Sequence, residues 1–231
     1  MIEMLHNPEI FRWAGLLGSL IGLIGTLIPG LVYRGSQNEP YSFLNHFISE
    51  LGEKGISRLA WVFNLSMILS GLCVVTASLS LGLILPGFWA KAGLLLGVTT
   101  GLALALVGLF PMNDMKSHMR AAVTFFRAGL LMSLFFSLAI LFQNGAISKL
   151  PRWFGLAGLG PVMAFAVFLG LMWKSRREER EALATDGVER PKVWNIAISE
   201  WLIFFSFIIW ILVIALGISG WPSPNFIAPT L

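Results

Sequence analysis

Six long runs of apolar residues dominate the chain, and shorter polar segments separate them. Each run is long enough for a helix that crosses about 30 Å of hydrocarbon. Turn-forming pairs such as Pro86-Gly87 follow several runs, and Trp residues cluster near the run ends, as is typical of a membrane interface. The expected spans are residues 10–32, 59–83, 90–110, 121–142, 150–173 and 196–218. We therefore predict an all-α, polytopic membrane protein in which six transmembrane helices form a bundle, a single domain over residues 1–231.

The composition points to the same class of protein. Hydrophobic residues make up 56% of the 231 residues and charged residues only 12%, whereas an ordinary soluble domain carries about 25% charged residues. So few charges cannot cover the surface of a soluble fold, and the abundant apolar residues exclude a disordered chain. The single cysteine, Cys73, excludes an intramolecular disulfide and a zinc site built from cysteines.

The charge pattern predicts how the helices are oriented. The formal net charge is +4, which in a soluble protein would raise nucleic acid as a partner. Here most Lys and Arg residues lie in the first, third and fifth loops. Residues 174–192 form a basic loop whose helix-forming start is expected to extend the fifth helix, with a linker at residues 185–191. By the positive-inside rule these loops face the cytoplasm and both termini lie outside. We expect a multi-pass protein of the cell's inner (plasma) membrane, with the lipid bilayer and not nucleic acid as its partner. The sequence does not determine its oligomeric state.

The first loop, at residues 41–52, is too polar to span a membrane and too apolar for a plain solvated loop. Apolar residues recur every fourth position, as on one face of a short interfacial helix; they are Phe43, Phe47 and Leu51. A second face of the same helix would carry Ser42, His46 and Glu50, which are also spaced by four.

The third loop adds a second polar pair. Asp114 and His118 are four residues apart, so they share a face at the start of the fourth transmembrane helix. Glu200 lies about one turn inside the sixth helix, which enters the membrane from the same predicted cytoplasmic side. Ionisable groups are scarce in this chain, and such groups in or near a membrane are functional candidates. The candidate catalytic residues are therefore His46, Glu50, Asp114 and His118, with Glu200 at the same depth.

Each candidate also has a structural interpretation. Asp114 is suited to cap the fourth helix, and Glu50 to pair with Lys54 four residues later. The two histidines are suited to the membrane interface as amphipathic side chains. Glu200 is placed to face the lipid headgroups near its helix start.

Two stretches resemble a known family. The first is Asn-His-Phe-Ile-Ser-Glu-Leu-Gly at residues 45–52, and the second is Gly-Leu-Phe-Pro-Met-Asn-Asp at residues 108–114, followed by His118. Together they resemble the prokaryotic membrane family known only as domain of unknown function 998. The resemblance implies a six-helix bundle and supplies no activity. It highlights His46, Ser49, Glu50, Asn64, Pro111 and His118.

Three classes of function fit these residues. The first is a membrane-embedded enzyme that acts on a lipid or other amphiphile, with His46 or His118 as general base and Glu50 or Asp114 orienting it. Two histidines and two carboxylates are also able to ligate a divalent metal, whereas haem is not expected because neither histidine lies deep in a helix. The second class is a non-catalytic subunit of a membrane complex or a sensor, and the third is a small transporter.

Overall fold

The computed structural model of the protein describes residues 5–143, 150–182 and 191–218, with side chains up to residue 174 in the second range. Six helical segments in these ranges are long and apolar enough to cross a membrane, which confirms the predicted all-α, six-span fold. The α-helices are α1 (Pro8–Val32), α2 (Ala60–Ile84), α3 (Phe88–Leu109), α4 (Met115–Leu141), α5 (Trp153–Ala157), α6 (Leu159–Ala182) and α7 (Asn195–Gly217).

Local sequence signals explain where the helices begin and end. The Asn7 side chain accepts a hydrogen bond from the Glu9 amide (3.0 Å), and Pro8 opens α1 as the first helical residue. Between α2 and α3, Gly87 has a φ of +88°, which favours glycine. Pro111 lies two residues after Leu109, the last residue of α3, and adopts an extended conformation, because proline cannot continue a helix.

Two spans differ from the expected boundaries. Helix α4 begins at Met115, rather than near residue 121, so His118 is already inside it. The fifth span is divided at Gly158 into α5 and α6. A side chain at Gly158 would meet the Trp210 ring at 2.8 Å, and the Trp210 indole donates to the Phe154 carbonyl (3.0 Å). The close packing of α7 therefore explains the break.

The basic loop at residues 174–192 begins as the expected extension of the preceding helix, since α6 continues to Ala182. The helix-forming residues of this stretch explain the extension. Residues 183–190 lie outside the described residues. Beyond them, the Pro191 carbonyl accepts a hydrogen bond from the Asn45 side chain (3.2 Å), and the Trp194 amide donates to the Leu44 carbonyl (2.7 Å). The start of α7 is thus bound to the first loop.

Small residues allow α2 and α3 to approach closely. A Cβ added at Gly101 would lie 2.5 Å from the Gly71 carbonyl oxygen, and one added at Gly71 would lie 2.5 Å from the Gly101 oxygen. Such close approach is typical of glycine-rich helix contacts in lipid. Gly71 and Gly101 therefore serve the packing of α2 against α3 within the chain.

The first loop contains the expected short helix, but it is a 3-10 helix over Ile48–Gly52. It lies inside the end of the bundle, where Leu51 is fully buried, whereas Phe43 is 49% exposed. The predicted α-helical face with a four-residue period is therefore not formed. Hydrogen bonds from the loop amides to side chains explain the irregular backbone, since they replace those of an α-helix.

Candidate functional site

An elongated cavity lies inside the bundle, with a volume of about 130 Å³ measured as space open to the centre of a water molecule. Helices α1, α2, α3, α4 and α7 contribute to its walls. Its lining on α2 extends from Phe63 to Leu81, about 27 Å along the helix axis at about 1.5 Å per residue. An engineered apolar cavity of about 150 Å³ is large enough to bind benzene. The cavity is thus narrow, long and of a size that holds a small apolar group or a length of hydrocarbon chain.

Most of the lining is aliphatic or aromatic, and its histidine and glutamate lie at one end. We call this end of the bundle the polar end; it comprises residues 33–59, residues 110–118 and the start of α7. Ser49, His118 and Glu200 line the cavity there. Farther from the polar end, the lining includes Ala77, Leu81 and Trp210. The cavity therefore has a polar head region and a mostly apolar body, whose few polar side chains include Ser19, Ser70 and Ser78.

His118 is held in one orientation by the backbone. It lies in the first turn of α4 and is only 4% exposed. Its Nδ1 atom lies 2.8 Å from the Phe110 carbonyl oxygen. A carbonyl oxygen only accepts, so Nδ1 carries the hydrogen and donates it. In the neutral imidazole, Nε2 then carries the lone pair and accepts.

Glu200 connects α7 to the first loop. Its Oε2 atom accepts a hydrogen bond from the Ile48 amide at 2.6 Å. Ile48 is 7% exposed, so this bond satisfies a buried amide that would otherwise be costly to leave unpaired. The carboxylate thus binds the start of the 3-10 helix and at the same time lines the cavity.

Ser49 completes the polar end of the cavity. Its hydroxyl donates to the Met112 sulfur, at 3.4 Å, and this leaves the oxygen lone pairs of the hydroxyl as acceptors. The neutral His118 imidazole and the Glu200 carboxylate also offer acceptors here. The head region of the cavity is therefore complementary to groups that donate hydrogen bonds.

Of the five polar residues expected to converge, His118 and Glu200 line the cavity, whereas His46, Glu50 and Asp114 are not among its lining residues. Asp114 is exposed and caps α4, since its side chain accepts from the Ser117 amide at 3.2 Å. This contact agrees with the structural interpretation of Asp114 as the cap of this helix. The predicted catalytic roles of His46, Glu50, Asp114 and His118 stay predictions.

His46 is buried in an aromatic cluster of the first loop. It is 2% exposed, and its ring centroid lies 5.5 Å from that of Tyr33 and 5.2 Å from that of Tyr41. Its Nδ1 atom is 2.8 Å from the Asn45 side-chain oxygen. Its Nε2 atom lies 3.7 Å from a Glu39 carboxylate oxygen. These contacts position His46 as part of the packing that shapes the loop.

Glu50 also acts on the loop backbone. Its side chain is 4% exposed and accepts a hydrogen bond from the Phe47 amide at 2.8 Å. The next amide along the chain, that of Ile48, is bound by Glu200. Two carboxylates from distant parts of the sequence therefore satisfy consecutive amides at the start of the same 3-10 helix.

Sequence reasoning missed the contact between Tyr41 and Trp201. The Tyr41 hydroxyl donates to the Phe47 carbonyl at 2.9 Å and accepts a hydrogen bond from the Trp201 indole at 3.2 Å. Burial raises the pKa of the Tyr41 phenol well above its usual range, so the phenol keeps its proton. The available signal was Trp201, the aromatic residue that directly follows Glu200. Its partner Tyr41 lies 160 residues earlier, and local spacing does not predict such a contact.

The residues that the structure describes do not assemble the set of metal ligands that the sequence suggested. No group of three or more His, Cys, Asp or Glu residues that could hold a metal ion occurs there. The two histidines have different surroundings, since His46 is packed in the first loop and His118 lines the cavity.

Comparison with known proteins gives a family but no activity. A family model described as "Protein of unknown function (DUF998)" matches residues 13–217. No curated protein matches the chain, and no solved structure matches it.

Proposed function

We propose that this chain, which belongs to the DUF998 family of proteins of unknown function, binds a single-chain amphiphile inside its transmembrane bundle. One observation carries the proposal: a long, narrow, apolar cavity ends at Ser49, His118 and Glu200. Ligand sites are generally concave and mostly apolar, with a few polar groups that fix orientation. The hydrocarbon chain would lie along the cavity, and the head would lie at the polar end.

The polar groups select the kind of head. Beyond the hydrogen bonds that they already make, three groups that face the cavity can still accept one. They are Nε2 of a neutral His118, the Glu200 carboxyl group and the Ser49 hydroxyl oxygen. A hydroxyl or amino head would donate to them, whereas an ionised carboxylate or phosphate head would have no hydrogen to donate. We therefore infer a long-chain alcohol, amine or monoacylglycerol.

Photolabelling with a defined probe tests this function. The purified protein in detergent is irradiated with dodecanoyl glycerol that carries a diazirine in its chain, and the labelled residues are mapped by mass spectrometry. We expect labels on the cavity wall, at Met67, Val74 or Phe126. Excess dodecanol or dodecylamine should compete, whereas methyl dodecanoate, which has no donor, should compete poorly.

A matched pair of variants distinguishes the interior from the lipid-facing surface. Val74→Phe adds a ring within the cavity, whereas Leu72→Phe adds one to a side chain on the same helix that is 50% exposed and outside the cavity lining. Labelling of the cavity wall should fall in the first variant and persist in the second. Labels confined to lipid-facing residues, or equal labelling in both variants, would contradict the proposal.

A catalytic role for His118 is a second candidate, favoured by its geometry. The Phe110 carbonyl fixes the imidazole so that Nε2 is the basic atom, and the residue lines the cavity. A base in this position would accept a proton from a water molecule or from the head of a bound amphiphile, a contribution typically of about 10²–10⁴-fold in rate.

The test of this catalytic role is release of dodecanoate from dodecanoyl glycerol by the purified protein. His118→Gln should abolish that release, whereas labelling of the cavity wall should be reduced but not lost, because only one of the three polar groups at the head is changed. Labelling without release would leave a binding protein and remove the catalytic role.

We also propose that the polar end faces the cytoplasm of the cell's inner membrane. Basic side chains at this end, including Lys54, Arg58 and Lys116, are exposed, as the positive-inside rule requires. In a Cys73→Ala background, Lys54→Cys should be protected from an impermeant thiol reagent in intact cells. Phe88→Cys, at the opposite end of the bundle and at a position that is 72% exposed, should react. The reverse labelling would invert the orientation.

A further inference from the structure

A second concave surface lies on the outside of the bundle, between α3 and α4. It is an open groove of about 410 Å³, by the same measure as the cavity. Apolar side chains from both helices form most of its lining, including Leu102, Leu106 and Ala121. Leu102 is 50% exposed and Leu106 is 41% exposed, so the groove opens toward the space that lipid occupies around a transmembrane bundle.

One cation lines this groove. Arg120 is exposed, and the structure gives its guanidinium no ion pair with any residue that it describes. Ser117, one turn earlier on α4, also lines the groove. Two further hydroxyls of the lining, those of Thr99 and Thr124, donate to carbonyls of their own helices. The polar character of the groove is therefore concentrated at Arg120 and Ser117.

The charge lies at the correct level for a lipid headgroup. Arg120 is five residues after the start of α4, on the side of the polar end, while Leu102 lies seven residues before the end of α3. At about 1.5 Å per residue, Arg120 lies about 7.5 Å and Leu102 about 10.5 Å from the helix ends at the polar end, so Leu102 is the deeper residue. Ser117 and Arg120 therefore lie nearer the interface than Leu102, an arrangement complementary to an anionic phospholipid.

We propose that the groove between α3 and α4 binds an anionic phospholipid, with its phosphate at Arg120 and Ser117 and one acyl chain that runs inward along Ala121 and Leu102. The guanidinium donates in a planar fork that matches phosphate oxygens. This lipid site is separate from the internal cavity and does not depend on the function proposed for it. Charge complementarity favours a lipid over an apolar protein surface, which would leave the guanidinium without a counter-ion.

Native mass spectrometry of the purified protein tests the site. The protein in detergent is titrated with palmitoyl-oleoyl phosphatidylglycerol and, in parallel, with the phosphatidylcholine of the same chains. We expect the anionic lipid to bind more tightly, and Arg120→Gln to weaken its binding about fivefold, the effect of one cation near an anionic lipid. Arg58→Gln is the matched control, because Arg58 is also exposed at the polar end but does not line the groove. It should leave the affinity unchanged.

A second variant tests the shape of the groove without changing its charge. Thr124 is exposed and lines the groove, so Thr124→Trp should fill it and weaken binding of the anionic lipid while Arg120 is retained. Equal losses in Arg120→Gln and Arg58→Gln would mean unspecific attraction between charges and would overturn the proposal. So would unchanged binding in Thr124→Trp, or a dimer that this variant dissociates, which would assign the groove to a second copy of the chain.

Discussion

Helices α3 and α4 each line the cavity with one face and the groove with the other, and on α4 the two faces differ in chemistry. On the inner face, Leu104, Val107 and His118 line the cavity. On the outer face, Leu102, Leu106 and Arg120 line the groove. His118 and Arg120 are two residues apart, which places them about 200° apart around the helix. A single turn of α4 therefore offers hydrogen-bond acceptors to the interior and a cation to the lipid.

Burial explains why the two residue types are not interchangeable. His118 is 4% exposed, and a neutral imidazole is satisfied there by the Phe110 carbonyl. An arginine remains charged at any ordinary pH and would need a counter-ion in such a place. At the exposed position of Arg120, the charge can reach the lipid headgroups. The contrast teaches that a buried position on the inner face favours a neutral acceptor, whereas an exposed position on the outer face can hold a charge.

The largest effect is expected where α3 packs against α2, because this contact supports both sites. In Gly101→Leu, the new side chain would meet the Gly71 carbonyl oxygen at 2.5 Å and the Val75 amide nitrogen at 2.7 Å. These are backbone atoms, which cannot move aside as a flexible side chain does. We expect a loss of about 3 kcal/mol or more in stability, measured by thermal unfolding in detergent, together with loss of both binding activities.

Gly170→Leu is the control for that substitution. Gly170 lies in α6, and a Cβ added there meets no atom within 4 Å. This variant should unfold near the temperature of the unmodified protein. If Gly101→Leu were equally stable, α3 would not depend on the close contact with α2, and the two sites would not share a support.

The second prediction concerns the inner site alone. Glu200→Leu leaves the buried Ile48 amide without its acceptor, which should cost about 1–3 kcal/mol. Glu200→Gln keeps an oxygen for this amide and should lose less stability. Thermal unfolding of the two variants provides the comparison. Anionic lipid binding should persist in both, since Glu200 does not line the groove, and its loss from either variant would show that the sites are coupled.

A crossed pair of substitutions sharpens the contrast between the faces. His118→Gln should reduce labelling of the cavity wall by the dodecanoyl glycerol probe, whereas Arg120→Gln should weaken phosphatidylglycerol binding about fivefold. Each variant should leave the other measurement unchanged, and in the double variant the two effects should appear together at full size. If either substitution changed both measurements, the inner and outer sites would not be independent.

The spans were predictable because hydrocarbon thickness imposes one physical requirement on every transmembrane helix. Twenty or so consecutive apolar residues carry that signal within one local window, as in α2 and α3. The division at Gly158 was not predictable in this way. It depends on Trp210, a residue of another helix that packs against Gly158 and donates to the Phe154 carbonyl.

The candidate site was predictable only in part, for a related reason. Spacing placed His118 and Glu200 at one depth, and both line the cavity. The same spacing rule assumed an α-helix in the first loop, where the backbone instead forms a 3-10 helix held by carboxylates. Which residues face the cavity therefore depends on contacts between distant segments, and a local pattern does not contain them.

The smallest effect is expected at Asp114, which lies beside both sites and lines neither. Its side chain caps α4 through the Ser117 amide, so Asp114→Ala should lower stability by about 1 kcal/mol. Asp114→Asn keeps a capping oxygen and should behave like the unmodified protein in thermal unfolding. Probe labelling and lipid binding should persist in both variants, because the cap is exposed to solvent. Loss of dodecanoate release in Asp114→Asn, with stability and labelling unchanged, would instead restore Asp114 as a catalytic residue.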